Sequence, residues 1–161
     1  MFSIDAINHA DWSRIMDIQH KAYADDYPES VDVLKAKWLL APETCLAIRN
    51  DEDLLGYCLA HPWPINDTPK LHVELNALPE TDDLFIHDLA LHPDARGQGA
   101  AKELVLSVLN IARLNHYKQV HLVAVQGSEQ FWCSFEFEIL AESQISAGYE
   151  DEALHMSVHL K

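Results

Sequence analysis

Cysteine is scarce in this chain: Cys45, Cys58 and Cys133 are the only three in 161 residues. An odd, widely spaced set excludes a disulfide framework and fits a reducing cytoplasm. Basic side chains are also few, with 11 Lys and Arg against 26 Asp and Glu and a formal net charge of −15. Such a field repels nucleic acid and anionic membranes and favours a cationic partner such as a free amine. No apolar run approaches the roughly 20 residues of a membrane span, and Met1-Phe2-Ser3-Ile4-Asp5 lacks the basic segment and apolar stretch of an export signal. Internal repeats, low-complexity tracts and linkers are missing too. The ten histidines, scattered from His9 to His159, show no compact spacing that dictates a ligand set, so no metal is expected.

What is present reads as one globular domain over residues 1–161, since 48% of the residues are hydrophobic and 23% charged. The alternation of Phe2, Ile4 and Ala6 predicts a short strand ending near Asn8, and the spacing of Trp12, Ile15, Met16 and Ile18 predicts a helix toward Tyr23 with Asp11 as its cap. A second helix is predicted over 30–40, with Ser30 as N-cap and Pro42 beyond its end. Residues 45–48 and 54–60 read as an antiparallel hairpin. Pro62, Pro64, Pro69 and Pro79 then break regular structure over 62–83, leaving an extended loop with at most a short element near 71–78. That loop, with Trp63, either borders a binding pocket or is plain surface.

A strand over 84–91, a helix from Gly99 to about Tyr117 and a strand over 120–125 make a parallel crossover unit. Ala101, Leu104, Val105, Val108, Leu109 and Ala112 form the helix's apolar stripe. A short helix from Ser128, carrying Phe131, Trp132 and Phe135, a strand over 137–140 and a last strand over 153–160 complete an α/β fold with a mixed sheet.

The strand over 84–91 runs through His92-Pro93-Asp94-Ala95 into Arg96-Gly97-Gln98-Gly99-Ala100-Ala101-Lys102. Glycines at 97 and 99 permit unusual dihedrals and close approach, so successive backbone N–H groups converge at the positive end of the helix. That is a cradle for a pyrophosphate. The bland alternatives are an ordinary strand-to-helix turn and a site for some other anion.

The motif and the order of elements resemble the GNAT superfamily of N-acetyltransferases, whose signature Arg/Gln-x-x-Gly-x-Gly/Ala is met by Arg96, Gly99 and Ala101. The resemblance covers essentially the whole chain. It implies a mixed, mostly antiparallel sheet with flanking helices, the acyl-CoA N-acyltransferase (GNAT) fold, and acetyl-CoA as cosubstrate. The backbone of Arg96, Gly97, Gln98, Gly99, Ala100, Ala101 and Lys102 would hold its pyrophosphate, and that of Leu89, Ala90 and Leu91 its pantetheine arm. The implied reaction is direct attack by an amine of a small molecule or peptide on the thioester. By analogy alone, a homodimer is possible.

His87 is the candidate base, since an imidazole titrates in the useful range and relatives often carry an acidic residue there. A hydrogen-bonded structural histidine is the competing reading. Adjacent Asp88 should face the other way, because side chains alternate along a strand, and is expected to be structural. Trp132 occupies the place of the family's frequent general acid, a tyrosine, and indole cannot serve as such a donor. Ser128, Cys133 and Tyr149 are the candidate replacements, against readings as an N-cap, a buried packing residue and a seal of the sheet. The missing tyrosine also leaves open a non-catalytic acyl-CoA-binding or regulatory module.

Overall fold

Asn8 stops the first strand, β1 (Ser3–Ala6), and starts a helical path. Its side chain accepts the N–H of Ala10 at 3.0 Å, while Asp11 accepts the N–H of Asn8 at 2.8 Å, a reciprocal cap that opens a 3-10 turn leading into α1 (Trp12–Ala22). Asp11 is therefore not the side-chain cap expected for α1. Its carboxylate instead meets the Arg49 guanidinium at 2.7 and 2.8 Å. Helix α2 (Val31–Leu40) starts as predicted, with Ser30 accepting the N–H of Val33, and stops before Pro42. The computed structural model describes residues 2–23, 27–141, 145–146 and 148–161.

Strands β2 (Leu46–Asn50) and β3 (Asp53–Pro62) form the predicted hairpin, with Cys45 and Cys58 buried as free thiols. Residues 63–82 contain no helix or strand, and the short element expected near 71–78 reduces to a turn in which His72 takes a φ of 65°. The crossover unit is β4 (Asp83–Leu91), α3 (Ala100–Leu114) and β5 (Gln119–Ala124), with β4 and β5 parallel. Helix α3 ends three residues before the expected Tyr117 because Asn115 turns its side chain back onto the carbonyl of Ile111 at 2.8 Å and His116 takes a positive φ. Its buried stripe uses Ala100 in place of the predicted Ala101. Helix α4 (Glu129–Cys133), a two-residue β6 (Glu138–Ile139) and β7 (Leu154–His159) complete the chain.

The seven strands lie in the order β1-β2-β3-β4-β5-β7-β6, antiparallel except for β4 with β5. This is the predicted mixed, mostly antiparallel sheet with flanking helices. One face buries α3 against Leu46, Ile48, Leu84, Ile86, Val120 and Leu122. The other buries Ile15 and Ile18 of α1 and Leu34 and Trp38 of α2 against Ala47, Tyr57 and Leu59. No described helix is long and apolar enough to cross a membrane.

Two irregularities in β4 depart from a regular sheet. The register against β3 pairs Ala60 with Ile86 but Leu59 with Asp88, so His87 is an extra residue in a β-bulge. Against β5, pairing runs only from Asp83↔Gln119 to Ile86↔Leu122, and beyond it the two parallel strands part.

Candidate active site

The parting of β4 and β5 leaves the backbone from His87 to Leu91 without a ladder partner on the β5 side. A cavity of about 330 Å³ fills the gap. His87, Leu89, Ala90, Leu91, Arg96, Ala101, Ser128 and Tyr149 of the predicted site line it, together with Leu122, Val123 and Val125 from across the gap. Gly97, Gln98, Gly99, Ala100 and Lys102 do not line it; the first four run between its wall residues Arg96 and Ala101, and Lys102 follows on α3.

That turn has the geometry an anion requires. Gly97 and Gly99 adopt φ values of 80° and 81°, in the left-handed region, and a Cβ built on either would meet nothing within 4 Å. The space in front of the backbone is open. Gly99 stands at the N-cap of α3 with no side chain to occupy the first N–H groups of the helix. Gln98 braces the turn by donating to the carbonyl of Asp94 at 3.1 Å. Arg96 and Lys102 are exposed and make no ion pair among the described residues, so both cations are available to a diphosphate.

The bulge overturns the expectation that His87 and Asp88 point to opposite faces. Leu84 and Ile86 face α3, whereas both His87 and Asp88 emerge toward α1 and α2: His87 meets Glu29, and Asp88 meets Tyr23 and Tyr57. One inserted residue changes the parity of the strand. Asp88 accepts the hydroxyls of Tyr57 at 2.6 Å and Tyr23 at 2.7 Å, which ties the end of α1 to the centre of the sheet. Burial pushes its carboxyl up to about 6 despite those two hydrogen bonds.

His87 is closed to solvent, and its Nε2 lies 2.5 Å from Oε1 of Glu29. Gln19 of α1 clamps Glu29, donating to its carbonyl at 3.0 Å and accepting its N–H at 2.8 Å, while the His72 N–H occupies Oε2 at 2.8 Å. Burial would raise the Glu29 carboxyl, but the His87 charge and hydrogen bond, the His72 N–H and the charge of Lys37 together hold it below the usual carboxylate range. An ionised carboxylate can only accept, so Nε2 of His87 carries the proton. In the neutral ring the lone pair is then on Nδ1, which is buried without a hydrogen-bond partner among the described residues. Glu29 escapes sequence reasoning: it immediately precedes the Ser30 cap and nothing local signals a partner 58 residues away.

Tyr149 presents a buried hydroxyl, also unpartnered among the described residues; burial first, then the charges of Glu29 and Asp88, keep it protonated far above neutral pH. Ser128 holds the N-cap position of α4 but makes no side-chain cap bond. Trp132 is buried among Phe131, Phe135 and Phe137. Cys133, expected as a buried packing residue, is exposed, because α4 turns Trp132 inward in its place.

The sequence pattern of the acetyltransferase (GNAT) family matches residues 12–135. No curated protein sequence matches. Among solved structures, the ribosomal-protein-S18-alanine N-acetyltransferase from Escherichia coli aligns over 100% of this chain and 95% of its own at 12% identity and a TM-score of 0.74. The putative acetyltransferase yncA from Salmonella typhimurium, solved with acetyl-CoA, aligns over 99% of this chain and 94% of its own at 16% identity and a TM-score of 0.71. The GNAT-like decarboxylase GphF, in complex with isobutyryl-CoA, aligns over 99% and 100% at 16% identity and a TM-score of 0.77. At such identities the likeness is one of fold.

Proposed function

The chain belongs to the acetyltransferase (GNAT) family, and we propose that it transfers an acetyl group from acetyl-CoA to an amine of a small molecule or peptide by direct attack. The observation that carries the reading is the His87–Glu29 pair, which lines the same cavity as the backbone beside the glycine turn. The backbone N–H groups of Arg96 to Lys102, with the two free cations at the ends of that run, hold the diphosphate. The backbone of Leu89 to Leu91, which has no strand partner on the β5 side, receives the pantetheine arm in the manner of an added strand.

His87 accepts a proton from the acceptor ammonium at Nδ1, directly or through a water, and Glu29 stabilises the imidazolium that results. The freed amine nitrogen bonds to the thioester carbonyl carbon, and collapse of the tetrahedral adduct breaks the C–S bond. Tyr149 supplies the proton that leaves with the thiol and regains one from the nitrogen, which sheds its second proton as the adduct collapses to the amide; Ser128 is the second candidate on the same wall. The proton taken by His87 returns to solvent, giving amide and CoA–SH. Three free cysteines and the excess of acidic side chains support a cytoplasmic site and a cationic acceptor.

Trp132 at the usual tyrosine position favours a second reading, a non-catalytic acyl-CoA-binding or regulatory module. Thiol release from acetyl-CoA against a panel of small amines and peptide amino termini decides between them. Amine-dependent release supports the enzyme, tight binding without turnover across the panel supports the module, and failure to bind acetyl-CoA overturns both.

A further inference from the structure

The proline-broken segment 63–82 reaches the cavity at the end away from the glycine turn. Along β4, His87 stands roughly 13 Å from Leu91 at the usual rise of a strand, and the segment arrives on the His87 side. There the N–H of His72 holds Oε2 of Glu29 at 2.8 Å, and Leu71 beside it lines the cavity. Three segments meet at this end, and each is tied to the other two. His72 and Glu29 join the 63–82 segment to the residues before α2. The residues before β7 join the same segment where Ser146 donates its N–H to the Thr68 hydroxyl at 2.8 Å and its own hydroxyl to the Thr68 carbonyl. They join the residues before α2 where the Glu150 N–H meets the Tyr27 hydroxyl at 2.9 Å. Gly148, at a φ of 103°, lies so close to Leu71 that a Cβ there would come within 3.2 Å of the leucine Cβ.

We propose, resting on the acetyl transfer described above, that these ties make the acceptor a small amine rather than a peptide, and that Leu71 sets the limit on its size. Tyr27 and Glu29, Leu71, and Tyr149 bring each of the three segments to the cavity wall, so the ties cross its acceptor end. A polypeptide laid across that end would have to break one of them. Volume argues the same way: about 330 Å³ is at the low end of the range for small-ligand sites, and the thioester arm must share it.

With its nitrogen at His87, the acceptor turns its body toward Leu71 and the rings of Tyr27 and Tyr149. Leu71 has no polar group to offer, so it contributes shape alone. It cannot withdraw either, since the adjacent His72 is bonded to Glu29 and Gly148 backs its side chain. One methylene too many against such a wall costs about 10- to 200-fold in selectivity.

The test measures by calorimetry the binding of CoA and of conjugates in which a CH₂–CO bridge joins its sulfur to ethylamine, to phenethylamine or to the amino terminus of trialanine. Wild type should bind the ethylamine conjugate at least as tightly as CoA, and the other two at least about tenfold more weakly than the ethylamine conjugate. In Leu71→Ala the phenethylamine conjugate should come within about threefold of the ethylamine one, with CoA itself within about threefold of wild type. Equal binding of the trialanine and ethylamine conjugates by wild type overturns the small-amine assignment. An unchanged ratio of phenethylamine to ethylamine conjugate in Leu71→Ala overturns the role of Leu71, and so does an equal loss for every ligand, the mark of a merely structural residue. Because binding needs no turnover, it judges acceptor size even if no amine is ever acetylated, an outcome that would count against the enzyme reading alone. Failure to bind CoA itself overturns that reading and this inference together. Should Leu71→Ala fail to fold in a thermal melt, Leu71→Val is judged by the same ratio, which should shift in the same direction by at least about threefold.

Discussion

His87 Nε2 stands 2.5 Å from Glu29 Oε1 across 58 residues of sequence, at the point where β4 holds one residue more than its partner β3. Without the bulge, strand alternation would not set His87 and Asp88 on the same face. With it, Asp88 joins His87 on the face of α1 and α2, whose connecting segment carries Glu29, and two phenols anchor the Asp88 carboxyl. A carboxylate held by Gln19 and His72 thus fixes the ring so that Nδ1 is the basic nitrogen.

Replacing the pair separates its two roles. His87→Gln should lower kcat/KM by about 10²–10⁴, the usual contribution of a general base, with acetyl-CoA affinity within a few-fold of wild type. Glu29→Gln removes the carboxylate that fixes the ring's tautomer, so kcat/KM should fall by a smaller factor than in His87→Gln. Full activity in His87→Gln would remove the ring from the mechanism.

The glycine turn is tested by Gly99→Val. A β-branched residue at a φ of 81° is strained by about 1–2 kcal/mol, but no neighbour lies within 4 Å of its Cβ, so the fold should survive with a lower melting temperature. Calorimetry should show acetyl-CoA binding weakened at least tenfold, since the added side chain occupies the approach to the backbone N–H groups. Unchanged affinity would place the diphosphate elsewhere.

Tyr149→Phe sets function against stability. The hydroxyl is buried and unpartnered among the described residues, so its loss should leave the unfolding free energy unchanged or raise it by up to about 1 kcal/mol. The same change should lower kcat by roughly tenfold or more with little change in KM, because the phenol acts on the departing thiolate. A variant with unaltered kcat would pass the role to Ser128, whose Ser128→Ala form would then show the deficit.

Asp88 should leave a mark on stability against pH. Its carboxyl titrates near 3.8 when unfolded and near 6 in the fold. The native state therefore keeps a proton that the unfolded chain has lost, and stability attributable to Asp88 falls as pH rises through that window, by roughly 3 kcal/mol at most. Urea unfolding at pH 4 and pH 7 should show a smaller difference in Asp88→Asn than in wild type. Equal differences in the two proteins would mean that Asp88 is not so buried in solution.

Much of this was legible in the sequence because it depends on local signals. Ser30, the hairpin, the stripe of α3 and the Gly97–Gly99 turn each come from caps, periodicity and backbone freedom within a few residues, and the structure places them as read except that Ala100 replaces Ala101 in the buried stripe. The misreadings have a common origin in tertiary pairing. Asp11 was drawn from capping α1 by Asn8 and Arg49, and Cys133 faces solvent because Trp132 takes the inward position. The bulge at His87 depends on register with β3, which no periodicity within β4 encodes. Glu29 became visible only when the start of α2 was packed against the sheet, since a single acid before a helix cap looks like a surface residue in the sequence.

A crystal structure of the protein with CoA tests the central claim most directly. The diphosphate is expected on the backbone N–H groups from Arg96 to Lys102, the pantetheine between β4 and β5 against Leu89–Leu91, and the sulfur in the cavity that His87 and Tyr149 line. CoA seated away from that gap, or a sulfur out of reach of both side chains, would contradict it.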